Sequence, residues 1–156
     1  MFERLTHEAR RAVFFARGEA GDAGADRIEP EHLLLGLLKA DPSLENYFPR
    51  SFVGDGVERR IHLQVEAHSP QRAKLPESTN MLLSVDSGSA LTAAAEVATK
   101  LNRQNVGIEH LVPGLLHLEN YFASQILLEQ RFDLVQFRSR WAPLNPSDFE
   151  QGTNYV

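Results

Sequence analysis

Near the start of the chain the small apolar residues Ala9, Ala12, Val13, Ala16 and Ala20 recur at intervals of three and four. That spacing puts them on one side of a helix and predicts a narrow seam where a second helix can approach closely. Thr6 stands just before the run, where its hydroxyl can accept from an unpaired N–H of the first turn. A second apolar stripe, Leu33, Leu34, Leu37 and Leu38, predicts another helix. Pro30 suits the first turn of that helix, because the missing N–H would have no partner there, and "ADP" at Ala40–Pro42 ends it. Further helices are predicted over Leu44–Arg50, Val57–Ala67, Tyr121–Glu129 and Leu134–Trp141. The short apolar run "NMLLSV" reads as an extended lead-in to Ser84, and "VERRIH" as a solvated helix face.

The pattern then repeats. At an offset of 78, Leu5 aligns with Leu83, Ala12 with Ala90, Ala16 with Ala94 and Ala20 with Ala98. In the same register Glu31, His32 and Leu33 align with Glu109, His110 and Leu111, and Gly36, Leu37 and Leu38 with Gly114, Leu115 and Leu116. Ser84 takes the capping place of Thr6. A tandem duplication accounts for this register. "ENYF" also occurs twice, at Glu45–Phe48 and Glu119–Phe122, at an offset four residues shorter.

These signals divide the chain into a first repeat over 1–68, a polar, proline-marked linker over 69–82, a second repeat over 83–142 and an irregular tail over 143–156. Pro113 lies beyond the first turn of the second unit's helix. A proline there removes a hydrogen bond and clashes with the preceding turn, so a kink or a late helix start is expected.

Composition narrows the function classes. Apolar residues make up 42% of the 156, enough for one compact core, and cysteine is absent. Disulfides, thiolate metal sites and cysteine nucleophiles are thereby excluded. The net charge of −5 comes with basic residues scattered among acids, so no basic stripe exists for a nucleic-acid backbone to follow. No apolar run approaches the roughly 18 residues needed to span a bilayer, and the charged N-terminus has no apolar signal region. These features point to a cytoplasmic protein with neither nucleic acid nor membrane as partner.

No H-E-x-x-H, G-x-S-x-G or G-x-x-x-x-G-K-[ST] motif occurs, which speaks against an enzyme and against a nucleotide cofactor. Glu31–His32 and Glu109–His110 invite a metal reading. Neighbouring helical residues point about 100° apart, however, so a pair of this kind cannot chelate one ion. A histidine hydrogen-bonding a neighbouring loop in each unit is the expectation. For the glutamates, stabilisation by the helix dipole stands beside ligand binding.

The duplicated helix set with "EHLLLGLL" and the opening "MFERLTHEARRAV" resembles the N-terminal domain of the Clp/Hsp100 unfoldase ATPases, and is most similar to the ClpC type. The resemblance covers about residues 1–142. It implies an all-α fold of two tandem four-helix repeats packed as a pseudo-twofold pair, without the ATPase domains. It further implies a non-catalytic module that recruits adaptors or marked substrate proteins for a Clp ATPase. Glu31 and Glu109 match positions that accept phosphoarginine in that family, a task suited to a carboxylate that can take two parallel N–H bonds. Phe2 and Arg10 match residues of the family's inter-repeat groove, where Leu83 replaces an aromatic. Basic residues usual after the Ser84 position are replaced by "VDSGS", and the usual threonine before each glutamate by Pro30 and Ile108. Two rival classes stay open: a structural domain that caps a partner or self-associates, and an unrecognised hydrolase.

Overall fold

Thr6 caps the first helix as expected, its hydroxyl accepting from Ala9 N at 3.2 Å. Ser84 does the same for Ser87 N at 3.1 Å. The computed structural model describes residues 2–50, 56–69 and 72–139. The first unit holds α1 (His7–Asp22), α2 (Pro30–Ala40), a 3-10 turn (Pro42–Tyr47) and α3 (Val57–His68). The second holds α4 (Val85–Lys100), α5 (Ile108–Leu115), α6 (Phe122–Glu129) and α7 (Leu134–Ser139). No strand occurs among the described residues, and the fold is the all-α duplication that the sequence implies. Trp141 and the tail over 143–156 lie outside the described residues.

Within each unit the first two helices lie against one another along the alanine seam. Ala9, Ala16, Ala20, Ala94 and Ala98 are fully buried. Gly36 completes the contact in α2, since a Cβ there would fall on the Ala12 carbonyl oxygen and lie 2.8 Å from Ala16 N. Gly114 repeats the arrangement against the Ala90 carbonyl and Ala94 N. Both helices end in a residue of left-handed conformation, again 78 apart: Gly24 at φ 67° and Asn102 at φ 58°. At Gly24 the Ala73 backbone also crosses too closely for any side chain. The linker is held there by Leu75 N donating to Gly21 O at 2.9 Å, and by Arg17 donating to Thr79 O at 2.6 Å.

The units are joined by two backbone bridges. Leu5 pairs with Val106, and Ile28 pairs with Leu83, both in parallel. Thr6 N donates to Val106 O at 3.0 Å and Val106 N to Arg4 O at 2.8 Å. Ser84 N donates to Ile28 O at 3.0 Å and Ile28 N to Leu82 O at 2.9 Å. Adding 78 to the repeat-one partners and subtracting 78 from the repeat-two partner converts the first pair of bonds into the second, which is the signature of a pseudo-twofold axis. The "NMLLSV" lead-in is thus extended, as expected. Around the axis pack Ala12 and Ala90, Val13 and Leu91, Leu33 and Leu111, and Leu37 and Leu115.

The last helix of each unit reaches across to the other. His68 of α3 stacks on Phe122 at 3.7 Å, and Phe137 of α7 meets Tyr47 edge-on at 5.3 Å. An aromatic residue of each "ENYF" copy thus meets the partner unit's last helix.

Two expectations need correction. The helix expected over Leu44–Arg50 is the 3-10 turn Pro42–Tyr47. Asp41 caps it through Ser43 N at 3.1 Å, and Pro49 follows, so the stretch between the prolines is too short for a stable α-helix. Pro113 does not delay α5, which starts at Ile108 in register with α2. It ends early instead, at Leu115, where the buried Ser124 hydroxyl donates to Leu115 O at 2.6 Å and Leu118 O at 2.8 Å. In α3, "VERRIH" is amphipathic: Val57 and Ile61 are buried beneath an exposed Arg59.

Gly36→Ala is expected to lower unfolding free energy by about 3 kcal/mol or more, since backbone on the facing helix must move. Gly18→Ala, with nothing within 4 Å of the added methyl, is expected to raise it by about 0.5–1 kcal/mol through helix propensity. Urea titration of the two variants checks both signs.

Candidate functional site

Each "EH" pair opens the second helix of its unit. His32 is buried, and its Nδ1 accepts from Glu29 N at 2.9 Å; His110 Nδ1 accepts from Gly107 N at the same distance. The expected loop bond is therefore made to the residue that precedes the histidine's own helix, closing an orphan donor of the first turn. An accepting Nδ1 leaves the proton on Nε2, so both rings are neutral. Burial holds both pKa values down to about 4, with Glu19 opposing the shift at His32 and Arg103 and Arg4 adding to it at His110. His110 Nδ1 lies 3.8 Å from the Glu109 carboxylate, and with a neutral ring this is a contact without an ion pair.

The glutamates that precede the two histidines differ in burial. Glu31 is only 7% exposed, and its pKa is raised by burial first, against the lowering effect of its own backbone N–H. Glu29 and Asp86 push it further up, while His68 pulls it down. Asp86 is brought opposite by the Ile28–Leu83 bridge and by the buried Ser87 hydroxyl, which donates to Ile28 O at 2.7 Å. Glu109, at the other end of the seam, is more open, its side chain 25% exposed and folded over Gly107. The cations Arg103 and Arg4 act on its neighbour His110. Arg4 reaches from the first unit to Gln104 O at 2.9 Å.

The remaining residues picked from the sequence sit on α1 and on the segments that lead into α1 and α4. Phe2 is 47% exposed on a 3-10 turn (Phe2–Arg4) ahead of α1, and Arg10 is exposed on α1, where its charge acts on Glu3. Leu83 is half-buried and packs against the core at the Ile28 bridge. Its repeat partner Leu5 is buried completely.

Three residues at the Glu31 end went unnoticed in the sequence. Tyr121 is 4% exposed, and its buried hydroxyl has the Ser89 side chain as a hydrogen-bonding neighbour. Burial raises its pKa, Ser89 opposes the shift and Asp86 adds to it, which places the hydroxyl beside the first turns of α4. His68 and Phe122 form the stacked pair. The only sequence signal for Tyr121 and Phe122 is the second "ENYF", a repeated tetrapeptide that does not say what it faces. Among the described residues no group of three or more His, Asp or Glu stands close enough to hold a metal ion. None of their helices is long and apolar enough to cross a membrane.

The buried histidines make stability depend on pH. Their folded pKa of about 4 lies below the ordinary value of 6.5, so the unfolded chain binds more protons between those limits. Stability is complete above about pH 6.5 and falls as the solution is acidified towards pH 4. The loss is on the order of 2–3 kcal/mol per histidine, partly offset by Glu31, whose raised pKa acts with opposite sign. A His32→Gln, His110→Gln variant keeps an acceptor for the N-cap N–H but does not titrate. Denaturant unfolding between pH 4 and 7 should show a much flatter profile for it than for the parent.

With this geometry in hand, the chain can be set against known proteins. Residues 4–130 match the family model described as the Clp repeat (R) N-terminal domain. The chain is 30% identical over 139 residues to the chloroplastic chaperone protein ClpD of Arabidopsis thaliana, covering 81% of this chain and 14% of that protein. It is 28% identical over 151 residues to the ATP-dependent Clp protease ATP-binding subunit ClpC of Staphylococcus aureus, covering 90% and 17%. The chain therefore spans about a sixth or less of the length of these relatives. Among solved structures, the N-terminal domain of ClpD from Arabidopsis thaliana superimposes with a TM-score of 0.66 at 24% identity, over 89% of this chain and 92% of that one. The Hsp104 N-terminal domain from Candida albicans gives 0.68 at 18%, over 90% of each chain. The fold, the register of the duplication and the family match agree: this chain belongs to the Clp repeat N-terminal domains.

Proposed function

We propose that the chain is a non-catalytic recruitment module, which binds adaptors or marked substrate proteins at the seam between its units and delivers them to a Clp ATPase. The single observation that carries this reading is the pair of glutamates set at the two ends of that seam by reciprocal backbone bridges. A binding surface assembled from both units suits a polypeptide ligand, and the family match supplies the context of regulated unfolding and proteolysis. The Staphylococcus aureus relative is named as an ATP-binding subunit of a Clp protease. A cytoplasmic setting is part of the proposal. Phe2, Arg10 and Leu83 form the remainder of the proposed contact surface.

Phosphoarginine is assigned to the Glu109 end. There a carboxylate for the guanidinium lies next to a histidine on which Arg103 and Arg4 act, so positive potential is at hand for the phosphate. Self-association is the second reading, favoured by Phe14, Leu128 and Val135, which are 66%, 65% and 79% exposed.

Affinity capture with the full chain from its own cell lysate should recover a Clp ATPase subunit, a Clp adaptor or a Clp client. The Glu31→Gln, Glu109→Gln variant should recover much less. Recovery of none of these, or recovery indifferent to both substitutions, rejects recruitment through the seam. Calorimetry with free phosphoarginine should give heat that Glu109→Ala abolishes, and sedimentation across concentrations should show a monomer.

A further inference from the structure

The linker between the units has a counterpart further down the chain. Leu75, Thr79 and Asn80 are followed 74 residues later by Phe149, Thr153 and Asn154, and Met81 and Leu82 by Tyr155 and Val156. "ENYF" recurs at the same offset, so the repeat runs on into the tail. In the first unit the linker lies along α1. Leu75 N donates to Gly21 O at 2.9 Å, Arg17 donates to Glu77 O at 3.2 Å, and Lys74 Nζ stands 3.2 Å from Asp22 at the end of the helix. The linker walls one side of a concavity of about 460 Å³, and Phe14, Phe15 and Gly18 of α1 with Lys39 of α2 line the other. At the helix offset of 78 these four residues correspond to Thr92, Ala93, Glu96 and His117, which line a concavity of about 450 Å³ along α4. Among the described residues, that second concavity is lined by α4 and His117 alone.

We propose that the tail, from Asp148 to Val156, docks along the outer face of α4 as the linker docks along α1. Charge selects it. The ion pair between Lys74 of the linker and Asp22 of α1 corresponds to Asp148 of the tail and Lys100 of α4, with the two signs exchanged. Changing both signs keeps such a pair attractive, and changing either alone does not. Lys100 is exposed in the last turn of α4, open to an arriving acid. Reach is sufficient as well: seven residues separate the end of α3 from Leu75, and ten separate the end of α7 from Phe149. Two of the linker's holds have no equivalent. Ala95 stands where Arg17 clamps the linker carbonyls, and Asn102 stands where Gly24 lets the Ala73 backbone cross closely. Phe149 and Tyr155 offset these losses, because an aromatic ring buries more apolar surface than the Leu75 and Met81 side chains they replace. Docked in this way, the tail gives the α4 groove the wall that the linker gives the α1 groove.

Because the chain has no cysteine, a nitroxide attached to a Gln151→Cys variant of the full chain reports from one position. In its NMR spectrum the amides of Thr92, Glu96 and Lys100 should lose intensity several-fold more than those of Phe14, Gly18 and Asp22, their counterparts on α1. Adding Asp148→Lys should remove most of that difference, and adding Lys100→Asp to the same chain should restore it, which apolar collapse of the tail alone would not do. A second sample mixes the nitroxide-bearing chain with an isotope-labelled chain that carries no nitroxide, and the labelled amides of α4 should there keep their intensity. Equal loss on α1 and α4 overturns the proposal, as does a difference that survives Asp148→Lys or is not restored by Lys100→Asp. Loss at α4 in the mixed sample overturns it too, since the occupant is then the tail of a second copy.

Discussion

Reciprocal pairing of lead-ins fixes this molecule. The segment before α1 bonds to the segment before α5, and the segment before α4 bonds to the segment before α2. Each unit thereby satisfies backbone groups that the other would leave buried and unpaired, so neither end of the seam can form alone. The same bonds place the start of α2 opposite the start of α4. The surroundings of Glu31 follow from that juxtaposition, because the second unit brings Asp86 near it.

Duplication gave the chain one backbone arrangement twice, and the side chains then diverged on it. The conserved geometry is small-residue packing: glycine against alanine in both units, a neutral histidine accepting from the N-cap in both, and a left-handed residue after the first helix in both. What differs is charge. Asp86 stands at the α4 position that corresponds to Glu8 in α1, yet arginines gather at the Glu109 end and acids at the Glu31 end. The frame is symmetric, and the electrostatics on it are not.

Much of this was legible in the residues themselves. The offset of 78, the seam of alanines, the caps at Thr6 and Ser84 and the amphipathic α3 all depend on local spacing, and the fold keeps each of them. Proline gave less reliable guidance. Pro42 and Pro49 confine a stretch with helical composition to a 3-10 turn, and Pro113 shortens a helix whose start it leaves untouched. In both places a tertiary hydrogen bond or a neighbouring cap decided where the element ended, which a one-dimensional pattern does not encode.

The sequence by itself determined that the chain is helical, duplicated and without catalytic or nucleotide motifs, because helix periodicity, capping and repeat register are properties of neighbours in the chain. It also singled out Glu31 and Glu109, since a repeated polar pair at a helix start is visible without coordinates. Only the tertiary structure decided what each glutamate faces. Asp86 and His68 are far from Glu31 in sequence, and the approach of Asp86 depends on a backbone bridge between segments that carry no motif of their own. Long-range contact, burial and the potential they create are properties of the packed chain, and the difference between the two sites is made of those alone.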